Sequence, residues 1–226
     1  MEQKVVSMIP ARGGSKGIRQ KNLALLNGKP LIYYTIDASR KALKISETWV
    51  NTDNDDIAEY AKSQSVYTYR RPPILASDTA SLDDVLIDFA WHIDFDVVVL
   101  IQPTSPMLLP SDLDAGVGLM DDGLINNNWL TNTVISVAIP DDMLIWNMQD
   151  KKPMNYDTTN RGIRQDRKLS FVIETGGFYI TTKASLLEKK CRIGSRIEFS
   201  YVPFWRMFEV DTQEDLIMIE RLMKYT

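Results

Sequence analysis

Cysteine and histidine are nearly missing from this chain: Cys191 and His92 stand alone among 226 residues. One cysteine rules out an intramolecular disulfide and a cysteine-based zinc site. Its neighbours Lys189, Lys190 and Arg192 are cations, yet Cys191 reads as a passive, partly buried thiol. One histidine, beside Trp91 in a helical stretch, leaves a Ser-His-Asp triad without a well-placed base, so His92 reads as structural. No apolar run approaches the ~20 residues of a membrane span. The chain opens without a signal-peptide pattern, and a cytoplasmic location with no membrane partner is the expectation. Repeats and low-complexity tracts are also missing. A formal net charge of −4 argues against a nucleic-acid polymer as partner. What is present is an ordinary globular mixture, 44% apolar and 25% charged, long enough for one domain with a substantial core.

The first half alternates strand and helix patterns. Strands are expected at residues 4–9, 47–53, 66–70, 96–102 and 133–139. Helices are expected at 30–43, 54–63 and 81–94 and from Ser111. Leu31, Tyr34, Ala38 and Ala42 lie on or near one face of the first helix. Ser81 and Asp84 have capping-box spacing, and Val97-Val98-Val99-Leu100-Ile101 reads as a strand buried on both faces. Repeated β-α-β units predict an α/β fold with a mostly parallel sheet flanked by helices. The rhythm breaks after Pro140, and residues 141–168 read as a small polar excursion or dimerisation arm within a single domain spanning 1–226. The sheet resumes near 177–181 and 198–203. A last helix starts at Thr212, with Asp215 in capping position and Leu216, Ile219 and Met223 turned to the core.

The strongest chemical signal is Pro10-Ala11-Arg12-Gly13-Gly14-Ser15-Lys16-Gly17-Ile18-Arg19-Gln20-Lys21-Asn22, directly after the first strand. Arg12, Lys16, Arg19 and Lys21 crowd into this loop, and its glycines let backbone N–H groups approach a ligand. Bare donors and long cationic arms suit a polyanion such as a nucleoside triphosphate. The spacing matches neither a Walker A loop nor a dinucleotide fingerprint. Other unusual loops also follow strands: Thr52-Asp53, Arg70-Arg71-Pro72-Pro73 and Gln102-Pro103-Thr104-Ser105-Pro106. Ligands of open α/β sheets bind at that carboxyl edge, so the convergence favours a nucleotide or sugar site. The amide of Gln102 and the hydroxyls of Thr104 and Ser105 suit a hydroxyl-rich ligand. Asp78, Thr79 and Ser81 either read a base or cap the following helix, and for Ser81 the cap is favoured. Phe208-Glu209-Val210-Asp211 projects two carboxylates from one face of an extended segment, which suits either Mg²⁺ or a solvated strand face.

In this order the segments resemble those of the acylneuraminate cytidylyltransferase family. The likeness runs through Ile9 to Gly17 with Lys21-Asn22, Leu75 to Ser81 after Arg71-Pro72, and Gln102 to Pro106. It continues through Arg164-Gln165-Asp166, Gly176 to Ile180, and Val210-Asp211-Thr212 with Asp215-Leu216. The resemblance implies a Rossmann-like nucleotidyltransferase fold and transfer of CMP from CTP to a nine-carbon 2-keto sugar acid, a sialic acid or relative, in a homodimer. It implies that Arg12, Lys16, Lys21 and Asn22, within the loop carrying Gly13, Gly14 and Ser15, hold the triphosphate. Arg71 with Asp78, Ala80 and Ser81 would line the cytosine pocket. Gln102, Thr104, Ser105, Arg164, Gln165 and Tyr179 would meet the sugar, and Asp211 with Glu209 would hold Mg²⁺. Arg12, Lys16, Lys21 and Asp211 are thereby the catalytic candidates. Glu209 stands where the family often has Asp, and Thr175 where Asn is frequent. Two other classes share these features: a cytidylyltransferase for an eight-carbon ulosonic acid, or a glycosyltransferase. A third is a catalytically silent nucleotide-binding module.

Overall fold

The computed structural model describes residues 3–15, 17–126, 132–140, 143–160 and 171–224. The chain starts with Val5–Pro10 (β1), a two-residue ribbon of Leu25–Leu26 (β2) and Lys29–Pro30 (β3), and Leu31–Lys41 (α1). Glu47–Thr52 (β4), Asp55–Ser63 (α2), Tyr67–Arg70 (β5), Leu82–His92 (α3), Val97–Ile101 (β6) and Pro110–Asn126 (α4) follow. The second half holds Thr133–Ala138 (β7), Ile173–Thr182 (β8), Lys183–Lys189 (α5), Ile197–Tyr201 (β9) and Gln213–Leu222 (α6).

Seven strands form one sheet in the order β5-β4-β1-β6-β8-β7-β9. Every residue of β1, β6 and β7 is buried, as their nearly unbroken apolar runs demand of strands covered on both faces. One face packs Ile9, Val99 and Ile101 against Ile32 and Ile36 of α1, Ile57 of α2, and Leu113 and Val117 of α4. The other packs Met8, Val98 and Leu100 against Leu86 and Phe89 of α3 and Leu186 of α5. The result is a three-layer α/β/α arrangement, the class expected from the β-α-β pattern.

Two topological features place the site. The chain leaves β1 toward β4 and β5, then returns to lay β6 on the other side of β1, all in parallel. This reversal opens a crevice beyond the carboxyl ends of β1 and β6. The second feature is β8, the one strand of the sheet antiparallel to both its neighbours. Its first residues therefore arrive at the carboxyl edge of the others. There the β7–β8 register shifts between Ile135 and Val137, a bulge that holds Gly176 at φ 73°. The Thr175 hydroxyl takes part in this bulge, 2.7 Å from the Ser136 hydroxyl and accepting the Gly177 N–H. Thr175 thus serves the backbone.

Helix starts follow their sequence signals. Asn54 caps α2, Ser81 caps α3, and Thr212 with Asp215 closes a reciprocal capping box on α6. Ile219 is buried, with Leu216 and Met223 partly buried beside it. Leu31 and Ala38 of α1 and Ala42 just after it are buried as expected, and Tyr34 is partly buried. The inner face is wider than that set, taking in Ile32, Thr35, Ile36 and Ser39. Beyond the expected elements the structure has α5, the β2–β3 ribbon at Asn27-Gly28 and four further residues at the start of β8. Within 141–168, residues 143–160 are described and carry an antiparallel bridge between Trp146 and Pro153.

Burial raises the Asp215 carboxyl, but the N–H groups of Thr212 and Asp211 and the Thr212 hydroxyl outweigh it and leave the group below its usual range. A depressed carboxylate stabilises the fold above its unfolded pKa, and that contribution disappears as pH falls below about 4. Replacing Thr212 by Ala should lower unfolding free energy by about 1 kcal/mol at neutral pH, read as a lower Tm by calorimetry.

Candidate active site

The crevice is a cavity of about 510 Å³. Its rim is built from the loop after β1, the segment between β5 and α3, the loop after β6, and Asp211. Four separate stretches of sequence meet there because all lie at one sheet edge.

The loop after β1 is shaped by its own hydrogen bonds. The Gly13 N–H donates to Asp53 at 2.9 Å, and the Asn22 amide donates to the Arg12 carbonyl at 3.0 Å. Asn22 is buried in a short 3₁₀ turn over Lys21–Leu23, and its Oδ1 has no hydrogen-bond partner among the described residues while the residue faces the cavity. Arg12 reaches across to Asp78 at 2.9 Å, and Lys21 reaches Asp211 at 2.8 Å. Two of the loop's cations are therefore held over the cavity by carboxylates from distant segments. A polyanion entering between them would exchange one set of charge-assisted bonds for another.

Arg71 forms the floor. It is 5% exposed, and its guanidinium donates to the Asn51 side-chain oxygen at 2.7 Å and to the Asn51 carbonyl at 3.0 Å. Burial lowers its pKa to about 10, against the pull of Asp53, so it remains a cation at neutral pH. Leu75, Leu82 and Val85 add an apolar wall beside it. A flat ring with polar edges suits such a surface.

The opposite wall comes from the loop after β6. Gln102 and Thr104 line the cavity. The Thr104 and Ser105 hydroxyls each donate to Glu209 Oε1 at 3.1 Å. Burial lifts the Glu209 carboxyl above the usual range, partly offset by these two hydroxyls. Among the described residues no group of three or more His, Cys, Asp or Glu side chains is close enough to hold a metal. A cation at Asp211 would need further oxygens from a ligand.

Residues 6–123, more than half of the chain, match the cytidylyltransferase family. This chain belongs to that family. It is 33% identical over 219 residues to an N-acylneuraminate cytidylyltransferase of Oncorhynchus mykiss, covering 94% of this chain and 48% of that protein. It is 27% identical over 222 residues to an N-acylneuraminate cytidylyltransferase of Streptococcus agalactiae, covering 96% of this chain and 52% of that protein. The chain thus spans about half the length of the curated relatives it matches. A CMP:2-keto-3-deoxy-manno-octonic acid synthetase solved with CTP shares the fold, with a TM-score of 0.74 at 18% identity over 98% of this chain and 99% of that one.

Of the residues singled out in the sequence, Arg12, Ser15, Lys21, Asn22, Arg71, Asp78, Ala80, Gln102, Thr104 and Asp211 share one cavity. Lys16, Arg164 and Gln165 lie outside the described residues. Ser81 spends its hydroxyl on the α3 cap. Ser105 is 4% exposed behind its loop. Tyr179, expected at the sugar, is equally buried under α3 and α5, away from the cavity, with its hydroxyl donating to Glu174 and Arg192 over its ring. Its hydroxyl is pushed up to about 12 by burial and by Glu174.

Gly17 is a residue whose importance the spacing did not reveal. A Cβ there would lie 2.3 Å from the Asp211 carbonyl oxygen, so only a bare Cα allows the two segments to touch. A Cβ on Gly14 would meet nothing within 4 Å. Gly17→Ala should cost about 1–3 kcal/mol of stability through forced separation and weaken binding of a nucleoside triphosphate in the crevice. Gly14→Ala should leave the melting temperature near that of the parent. Calorimetry and nucleotide titration of both variants check the contrast.

Proposed function

We propose that this protein transfers CMP from CTP to the anomeric hydroxyl of a nine-carbon 2-keto sugar acid, releasing pyrophosphate. We propose further that it works in the cytoplasm as a homodimer, with residues 141–168 as the contacting arm. The observation that carries the reading is a single cleft bearing Arg12, Lys21 and Asn22 at one end, Arg71 at its floor, and Gln102 and Thr104 opposite. Cationic, base-sized and hydroxyl-reading surfaces in this order suit a nucleoside triphosphate and a sugar side by side. The names of the relatives supply the class of sugar.

The chemistry joins the anomeric oxygen to the α-phosphorus and breaks the bond from that phosphorus to the bridging oxygen of the β-phosphate. The hydroxyl proton is released and pyrophosphate departs. An oxygen nucleophile must approach phosphate that is already negative, so the chain's main task is to neutralise and align. Arg12 and Lys21 counter the β- and γ-phosphates and the charge that builds on the leaving group. The Asn51–Arg71 pair gives the base a fixed floor. Gln102 and Thr104 orient the acceptor hydroxyl. Asp211 is exposed, carries a hard oxygen and sits beside the cationic loop, so it is the residue that would hold Mg²⁺. Bound there, Mg²⁺ would supply further charge neutralisation at the phosphates.

Pyrophosphate release from CTP and Mg²⁺ with a panel of acids tests the reading. Turnover is expected with one nonulosonic acid, while turnover with an eight-carbon ulosonic acid alone would assign the sister activity. CTP binding without turnover on any acid would favour a binding module. Asp211→Asn should lose at least about 100-fold in kcat while its thermal unfolding stays close to the parent's. Near-normal Mg²⁺-dependent activity in that variant would contradict the assignment.

A further inference from the structure

We infer that Glu209 is a positioning residue that fixes the loop 102–106, rather than a ligand of the Mg²⁺ proposed at Asp211. The inference rests on the proposed function in two respects, that this loop faces the sugar acid and that Asp211 would hold Mg²⁺.

The two carboxylates are two residues apart but have opposite surroundings. Asp211 is 68% exposed and reaches outward to Lys21. Glu209 points inward, where its Oε1 accepts from both the Thr104 and Ser105 hydroxyls. Two donors fill the two lone pairs of that oxygen. Oε2 lies against the bulge of β8: a Cβ on Gly176 would stand 3.0 and 3.1 Å from the two carboxylate oxygens, and Gly176 has a positive φ of 73°. The backbone of the bulge has therefore closed onto the carboxylate. Main-chain bonds tie the same three segments together, from the Val210 N–H to the Thr104 carbonyl at 2.8 Å and from the Gln102 N–H to the Gly177 carbonyl at 3.0 Å. Ser105 reaches Glu209 from a position only 4% exposed. The two methylenes of the glutamate side chain carry its carboxylate back to both hydroxyls. Glu209 thus joins the loop after β6, the β8 bulge and the segment before α6 at one oxygen.

The test compares Glu209→Gln, whose amide oxygen still accepts two hydroxyl donors, with Glu209→Ala. A Thr104→Val/Ser105→Ala double variant removes the same bonds from the loop side. Amide hydrogen exchange of segment 102–109 is measured in all of them, together with KM for the sugar acid and the Mg²⁺ concentration for half-maximal turnover. The latch predicts faster exchange and an increase of about tenfold or more in sugar-acid KM for Glu209→Ala, in line with loss of charge-assisted hydrogen bonds. The double variant should exchange as fast as Glu209→Ala. In Glu209→Gln both exchange and the Mg²⁺ requirement should remain within twofold of the parent. An Mg²⁺ requirement raised equally in Glu209→Gln and Glu209→Ala, with exchange unchanged, would make Glu209 a metal ligand and overturn the inference. Parent-like exchange in every variant would overturn it as well. Absence of turnover by the parent on any acid would defeat the functional reading alone, because the exchange comparison decides the latch without activity.

Discussion

The site depends on a contact between the two ends of the chain. Gly17, in the first loop, lies so close to the Asp211 carbonyl that no side chain fits between them, and Lys21 pairs with the Asp211 carboxylate 190 residues away in sequence. Without that contact the cationic loop would be an exposed basic turn with no fixed carboxylate beside it. With it, the cationic loop and the Asp211 carboxylate share one frame. The frame is backed by Ile18, Leu26, Leu31, Met107, Val210 and Ile219, which form a small buried cluster of their own. Apolar packing beneath the cleft thus sets the separation of charges above it.

The sheet supplies the rest of the geometry. A parallel sheet with a reversal at β1 and β6 brings several loops to one edge without any of them being adjacent in sequence. The reversed strand β8 adds an amino-terminal segment to the same edge, and its bulge makes room for Glu209. Charge is balanced in pairs across the cleft, Arg12 with Asp78 and Lys21 with Asp211. A chain of net acidic character can in this way present a local cationic site without a broad basic surface.

Much of this was legible in the sequence because it rests on local rules. The buried strands announce themselves as apolar runs, and Asn54, Ser81 and Thr212 mark helix starts by their capping chemistry. The loops that converge were recognisable as glycine-rich, proline-flanked or charged stretches after strands. What escaped depends on tertiary context. The early part of β8 carries Glu, Thr and two glycines, a composition that reads as loop, and it becomes strand because Ser136 and Thr175 satisfy its bulge. The bulge also changes which residues share a face, so the exposed Glu174 comes within reach of the Tyr179 hydroxyl, whose ring packs with α3 and α5 rather than lining the cleft. Ser105 and Glu209 turned inward toward each other, a pairing across 104 positions that no spacing rule contains. The Asn27-Gly28 ribbon was a missed signal of a recognised kind.

The crevice between β1 and β6 is proposed as a cytidine triphosphate site, with phosphates at Arg12 and Lys21 and the base over Arg71. Calorimetric titration with CTP, UTP and ATP in the presence of Mg²⁺ tests it most directly, on the parent chain and on Lys21→Ala. CTP should bind more tightly than either other nucleotide, and Lys21→Ala should weaken all residual binding while preserving the order among bases. Equal affinity for the three nucleotides, or CTP affinity unchanged in Lys21→Ala, would contradict it.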